Sequence, residues 1–138
     1  MVPVEADRSR GSEAITRGVR VSVTPSYRQD RSDPGAGRFI FSYRVRIANE
    51  GEAPVSLLAR RWVIVDADGE RHEVEGEGVV GLQPQIQPGA AHEYESFCPL
   101  QTAWGTMEGS YLMRTADGEE FHAEIARFYL AAPVPDEN

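Results

Sequence analysis

The sequence predicts an all-β fold, a fibronectin type III or immunoglobulin-like β-sandwich of about seven antiparallel strands. Three observations predict it. Apolar residues recur with a period of two, and turn signals separate the alternating runs. No stretch keeps a helical period for longer than two turns. The length, 138 residues, fits one domain. A chain of this size buries roughly 70% of its unfolded surface, so it needs no disulfide or metal staple.

Residues 1–14 are polar and without periodicity, which predicts a flexible N-terminal tail. The domain is expected over 15–133, with 134–138 as a flexible C-terminal tail. Within the domain, Val19, Val21 and Val23 alternate with Arg20, Ser22 and Thr24, as in a strand with one buried face. Phe39, Phe41, Tyr43, Val45 and Ile47 alternate with Ile40, Ser42, Arg44 and Arg46, the strongest strand signal in the chain. Asn49 to Pro54 reads as a turn. A strand follows over 55–65, with Trp62 in its middle, where such sandwiches bury a tryptophan.

Asp66-Ala67-Asp68-Gly69 is a hairpin signal, and 70–75 forms the return strand. After a Gly/Pro-rich loop over 76–89, strands are predicted over 91–97, 104–114 and 119–130. Thr115-Ala116-Asp117-Gly118 joins the last two. A small barrel is the competing architecture.

Formal charge is −8, which argues against nucleic acid as a partner, because phosphate neutralisation needs an excess of basic residues. All 14 basic residues are arginine. Without lysine there is neither a Walker-type phosphate clamp nor a Schiff base. Cys98 stands alone, so no internal disulfide forms, which suits a reducing compartment. The opening residues lack a basic patch followed by an apolar run, and no run of about 18 apolar residues occurs. A cytoplasmic location without membrane insertion is expected.

Four features are candidates for chemistry. Gly76-Glu77-Gly78-Val79-Val80-Gly81 has the spacing of a dinucleotide loop, with Gly76, Gly78 and Gly81 as phosphate-binding candidates. That mechanism needs a helix after the loop, and Pro84 and Pro88 forbid one. A nest of backbone amides without a helix is the remaining route to phosphate. Glu73 and Glu75, continued by Glu77, form a same-face carboxylate row, and His122 shares a face with Glu124. Glu73, Glu75, His122 and Glu124 are therefore the metal candidates, provided the two rows converge.

Cys98 has His92 six residues upstream on the same strand face, roughly 20 Å away at strand rise, too far for a nucleophile–base pair. Gly105, Met107, Gly109 and Tyr111 share a face. Glycines in a strand mark a bulge or the close approach of a backbone or ligand. Met107 and Tyr111 are accordingly partner-binding candidates beside a packing role.

Several stretches resemble the ApaG family: Asn49-x-Gly51-x-x-Pro54-Val55-x-Leu57-Leu58, Arg60-x-Trp62-x-Ile64, and Glu73 to Gly81 with Gln83-Pro84. Pro88-Gly89, Gly105-Thr106-Met107-x-Gly109-x-Tyr111 and Phe128-x-Leu130-Ala131-x-Pro133 continue the match in order, from about Val19 to Pro133. The resemblance implies a fibronectin type III-like sandwich and a bacterial protein associated with cobalt resistance and magnesium efflux. It further implies a protein-binding role, as in eukaryotic F-box and DNA-polymerase-interacting proteins. It brings no catalytic residues and no cofactor.

The expectation is a non-catalytic protein-interaction module with a protein partner. Direct binding of a divalent cation or of phosphate is the alternative, and self-association is kept open.

Overall fold

The computed structural model describes residues 10–133. Nine strands make up the described chain: β1 (Ser12–Thr16), β2 (Val19–Tyr27), β3 (Phe39–Asn49), β4 (Val55–Asp66), β5 (Arg71–Glu77), β6 (Gln85–Ile86), β7 (Ala91–Leu100), β8 (Trp104–Thr115) and β9 (Glu120–Ala131). Two one-turn 3₁₀ segments lie between β2 and β3. One sheet runs β1-β2-β3-β7, and the other β5-β4-β8-β9 with β6 added beside β4. Every pairing is antiparallel. The result is the two-sheet sandwich that the alternating pattern predicts.

Two strands are additions to that reading. Residues 12–14 were assigned to a tail, yet β1 pairs with β2 from Ser12↔Val23 to Thr16↔Val19. Its apolar content is too low to signal a strand, and partners distant in sequence add to the β2 ladder. Ser12 Oγ donates to the Ala126 carbonyl at 2.6 Å, and the Tyr129 amide donates to the Arg10 carbonyl at 2.9 Å. The rest of the predicted tails, 1–9 and 134–138, lies outside the described residues. The second addition, β6, is a two-residue strand inside the Gly/Pro-rich loop, too short for a period to show.

The inward residues of both sheets form one core. Trp62 lies at its centre, with ring centroids 5.3 Å from Tyr43, 5.9 Å from Phe128 and 6.3 Å from Tyr111. These edge-on contacts suit the aromatic quadrupole and add to the area they bury. Tyr43 comes from β3 and the other three from the facing sheet, so the cluster fixes one sheet over the other.

The glycines of β8 explain themselves here. A Cβ on Gly109 would lie 1.9 Å from the Arg61 carbonyl oxygen, so glycine permits the close approach of the β4 backbone. The β8–β9 register shifts between Met107 and Gly109, which marks a bulge at the same place.

Replacing Trp62 with alanine removes the centre of this cluster. Trp62→Ala is expected to lose about 3–5 kcal/mol of stability in denaturant unfolding at an unchanged m-value. A loss below about 1 kcal/mol would mean that the sheets are held together elsewhere.

Candidate functional site

The two sides of the sandwich are finished differently. On the β1/β9 side the sheets are laced together. Besides the Ser12 and Arg10 bonds, the Glu124 amide donates to Thr16 Oγ1 at 3.0 Å, and Arg10 Nη1 donates to the Ala131 carbonyl at 2.9 Å. On the other side, β5 and β7 end their sheets without pairing to each other. Between them opens a cleft of about 780 Å³. Arg60, Trp62, His72, Val74, Ser96 and Cys98 are among its walls. This volume is in the range of ligand and peptide sites.

Arg60 is the functional group most deliberately placed there. It pairs in register with Gly76 of β5. Gly76 has no side chain, so the guanidinium lies across it, and an added Cβ would meet Nη2 at 2.7 Å. Nη1 donates to the carbonyls of Glu77 at 2.9 Å and Gly78 at 3.0 Å. Arg60 has no carboxylate partner among the described residues, although acidic residues outnumber basic ones 22 to 14.

Behind Arg60 lie three tyrosine hydroxyls. Tyr94 and Tyr111 share a hydrogen bond, and Ser96 lies opposite Tyr43 in the β3–β7 register. Burial pushes all three phenols above their ordinary range, while the nearby Arg60 charge opposes the shift. Burial likewise pushes the Cys98 thiol from 9.0 up to about 12, so at neutral pH it is a protonated packing group.

The glycine-rich stretch becomes the end of β5 and a tight turn, with no helix after it. Val79 and Leu82 exchange backbone bonds of 2.8 and 3.0 Å around Val80 and Gly81, both at positive φ. The Gly78 amide donates to the Leu58 carbonyl at 2.9 Å, and Gln83 Nε2 donates to that same carbonyl at 2.9 Å. The β4 bulge between Leu57 and Ala59 leaves the Leu58 carbonyl available for this. The amides of Gly78, Val79 and Leu82 are thus occupied. A Cβ on Gly78 would fall 2.1 Å from the Leu82 carbonyl oxygen. Gly76, Gly78 and Gly81 therefore serve chain geometry here, and the amides of Gly78, Val79 and Leu82 are not free to form a phosphate nest.

The metal candidates do not converge. Glu73 and Glu75 lie on β5 and His122 and Glu124 on β9, at opposite edges of one sheet. Two strands separate them, roughly 14 Å at ordinary strand spacing. Arg61 binds Glu73 and approaches Glu75 at 3.4 Å, and Arg71 approaches Glu73 at 3.7 Å. Arginine charge occupies the place between carboxylates where a cation would sit. Among the described residues no three His, Cys, Asp or Glu side chains are grouped to hold a metal.

Met107 and Tyr111 are corrected as partner-binding candidates. They are 1% and 0% exposed, and their strand face is the core face of β8. A period of two marks which residues share a face, and it leaves open whether that face meets solvent or the other sheet. The sequence reading missed Arg60 and the cleft, although a signal existed. Counting back from the Asp66–Gly69 hairpin sets Arg60 opposite Gly76.

Comparison with known proteins follows the same line. The ApaG domain pattern matches residues 29–115. "Protein ApaG" of Anaeromyxobacter dehalogenans strain 2CP-1 is 54% identical over 122 residues, covering 88% of this chain and 96% of its own length. That of Maricaulis maris is 50% identical over 116 residues, covering 84% and 89%. A Bordetella pertussis crystal structure described under the name ApaA superposes with a TM-score of 0.81 at 42% identity, covering 95% of this chain and 98% of that one. No helix of the described residues is long and apolar enough to cross a membrane.

Two measurements check the site. Cys98 holds its proton more tightly in the folded chain than in the unfolded one. Its contribution to stability is therefore fully present below pH 9.0 and lost as pH rises toward about 12. Urea unfolding above pH 9.0 is expected to show falling stability, and Cys98→Ala should lessen the fall. An unchanged slope in Cys98→Ala would remove the thiol from the cause. Separately, calorimetry with Co²⁺, Mg²⁺ or pyrophosphate is expected to show no affinity tighter than about 1 mM. Micromolar binding that Glu73→Gln or Glu124→Gln abolishes would restore the metal reading.

Proposed function

The chain belongs to the ApaG family, and on that premise we propose that it is a non-catalytic protein-interaction module that offers a strand edge and its flanking loops to another protein. One observation carries the reading. The sandwich is laced shut along β1 and β9 yet left open between β5 and β7, with a cleft bordered by two unpaired strand edges. Unpaired edges are templates for strand addition, and folded proteins usually blunt them. Here the blunting is partial. Pro99 and the outward Glu93 and Glu95 guard β7, whereas β5 keeps Val74 uncovered on its inward side.

The chemistry of the site supports the same reading. The buried thiol is protonated, the Tyr94 and Tyr111 hydroxyls hydrogen-bond within the core, and Glu73 and Glu75 are engaged by arginine. The resemblance associates the family with cobalt resistance and magnesium efflux. In this reading the chain takes part in such a phenotype through a protein partner in the cytoplasm, without binding the metal itself.

Crosslinking followed by affinity capture from native extract tests this. The expected result is a partner recovered in stoichiometric yield and lost on denaturation. Recovery of no stoichiometric partner, with and without crosslinker, would count against an interaction module.

A further inference from the structure

We propose that the free edge of β5 takes up an extended segment of the partner as an added strand, with one acidic side chain of that segment seated on Arg60. The inference rests on the interaction-module reading above and adds the surface and the partner's chemistry.

Three observations converge on β5. First, it borders β4 on one side and, among the described residues, no strand on the other. Every β5 residue except Gly76 is exposed, including Val74 at 42% on the inward face. A segment paired there would satisfy the idle backbone groups and cover that apolar side chain.

Second, Arg60 already reaches past its own strand. Gly76 lets the guanidinium lie over β5, and the Glu77 and Gly78 carbonyls hold it there through Nη1. A strand added about 4.8 Å away would carry the residue opposite Gly76 on the same inward face. A carboxylate at that position meets the guanidinium in a charge-assisted hydrogen bond, worth more than a neutral one.

Third, the surrounding charges define the rest of the segment. The outward carboxylates Glu73 and Glu75 are engaged by Arg61 and Arg71, so outward positions of the segment must be neutral or basic. At the far end of the cleft lie Arg38, Glu70 and Asp66. Asp66 Oδ1 already accepts the amides of Asp68 and Glu70 at 2.9 Å each. The place for the acid is the Gly76 end. The occupant is therefore an extended segment with an acid flanked by apolar residues on one face and neutral or basic residues on the other.

The test uses a blocked peptide, acetyl-Thr-Val-Thr-Glu-Thr-Val-Thr-amide, titrated into the full chain and followed by amide and arginine side-chain chemical shifts. Saturable shifts over 71–77 and at Arg60 are expected. The glutamine analogue should bind at least ~tenfold more weakly, as should the Gly76→Ala variant, whose new Cβ displaces the guanidinium. The displaced group is the flexible end of a side chain, so Gly76→Ala should fold, and its unperturbed core shifts will verify that.

No shift up to about 5 mM peptide overturns the proposal, as does equal binding of the glutamine analogue. Shifts confined to the β1-β2-β3-β7 sheet also overturn it. The captured partner separates this proposal from the broader reading. A partner retained undiminished by Val74→Asp removes the β5 site and leaves an interaction module standing. Loss of that partner in Val74→Asp, with the fold intact, supports both.

Discussion

The packing of Trp62 against Tyr43, Tyr111 and Phe128 sets the relation between the two sheets, and the rest of the molecule follows from it. A sandwich has no covalent tie between its layers in this chain, because Cys98 is its lone cysteine. Side-chain interdigitation alone must fix the sheet-to-sheet distance and angle. Large aromatic side chains do this well, since each buries much area and accepts few orientations. The hydroxyl ends of Tyr94 and Tyr111 satisfy one another inside the core, so the cluster carries no orphaned polar atom among the described residues.

Once the centre is fixed, the two sides cannot be finished alike. The N-terminal segment reaches β9 and bonds its Glu124 amide, Ala126 carbonyl and Tyr129 amide. Among the described residues no comparable segment bridges β5 to β7. The hairpin between β4 and β5 is long enough to extend the larger sheet by one strand, and β7 pairs on one side with β3 only. The cleft is therefore a consequence of connectivity, and its chemistry is a consequence of register. Arg60 faces Gly76, so a cation that would otherwise point away from the strand instead lies over it.

Much of the fold was legible. The alternation in 39–47 and 55–65 and the turn at 66–69 reappear as β3, β4 and the β4–β5 hairpin. The exclusion of a dinucleotide helix by Pro84 and Pro88 agrees with a loop that turns back on itself. The site was less legible. Met107 and Tyr111 were assigned correctly to one face, but that face is the interior. Glu73, Glu75, His122 and Glu124 each lie on an outward row, yet two intervening strands keep the rows apart. β1 escaped notice because its few apolar residues give no alternation, although it ladders with β2 and also bonds residues of β9 more than a hundred positions away.

The sequence by itself determined that this chain is all-β, which residues share a face, and where the hairpins turn. Those properties follow from local rules, namely a period of two and the torsional preferences of turn residues. Only the tertiary structure decided which edge stays open, which carboxylates are neutralised, and that Arg60 lies unaccompanied by an acid over Gly76. Strand order and cross-strand register arise from long-range packing, and a one-dimensional pattern does not encode them directly. The two-sheet sandwich predicted from alternation thus stands, and among the described residues it is left unpaired between β5 and β7.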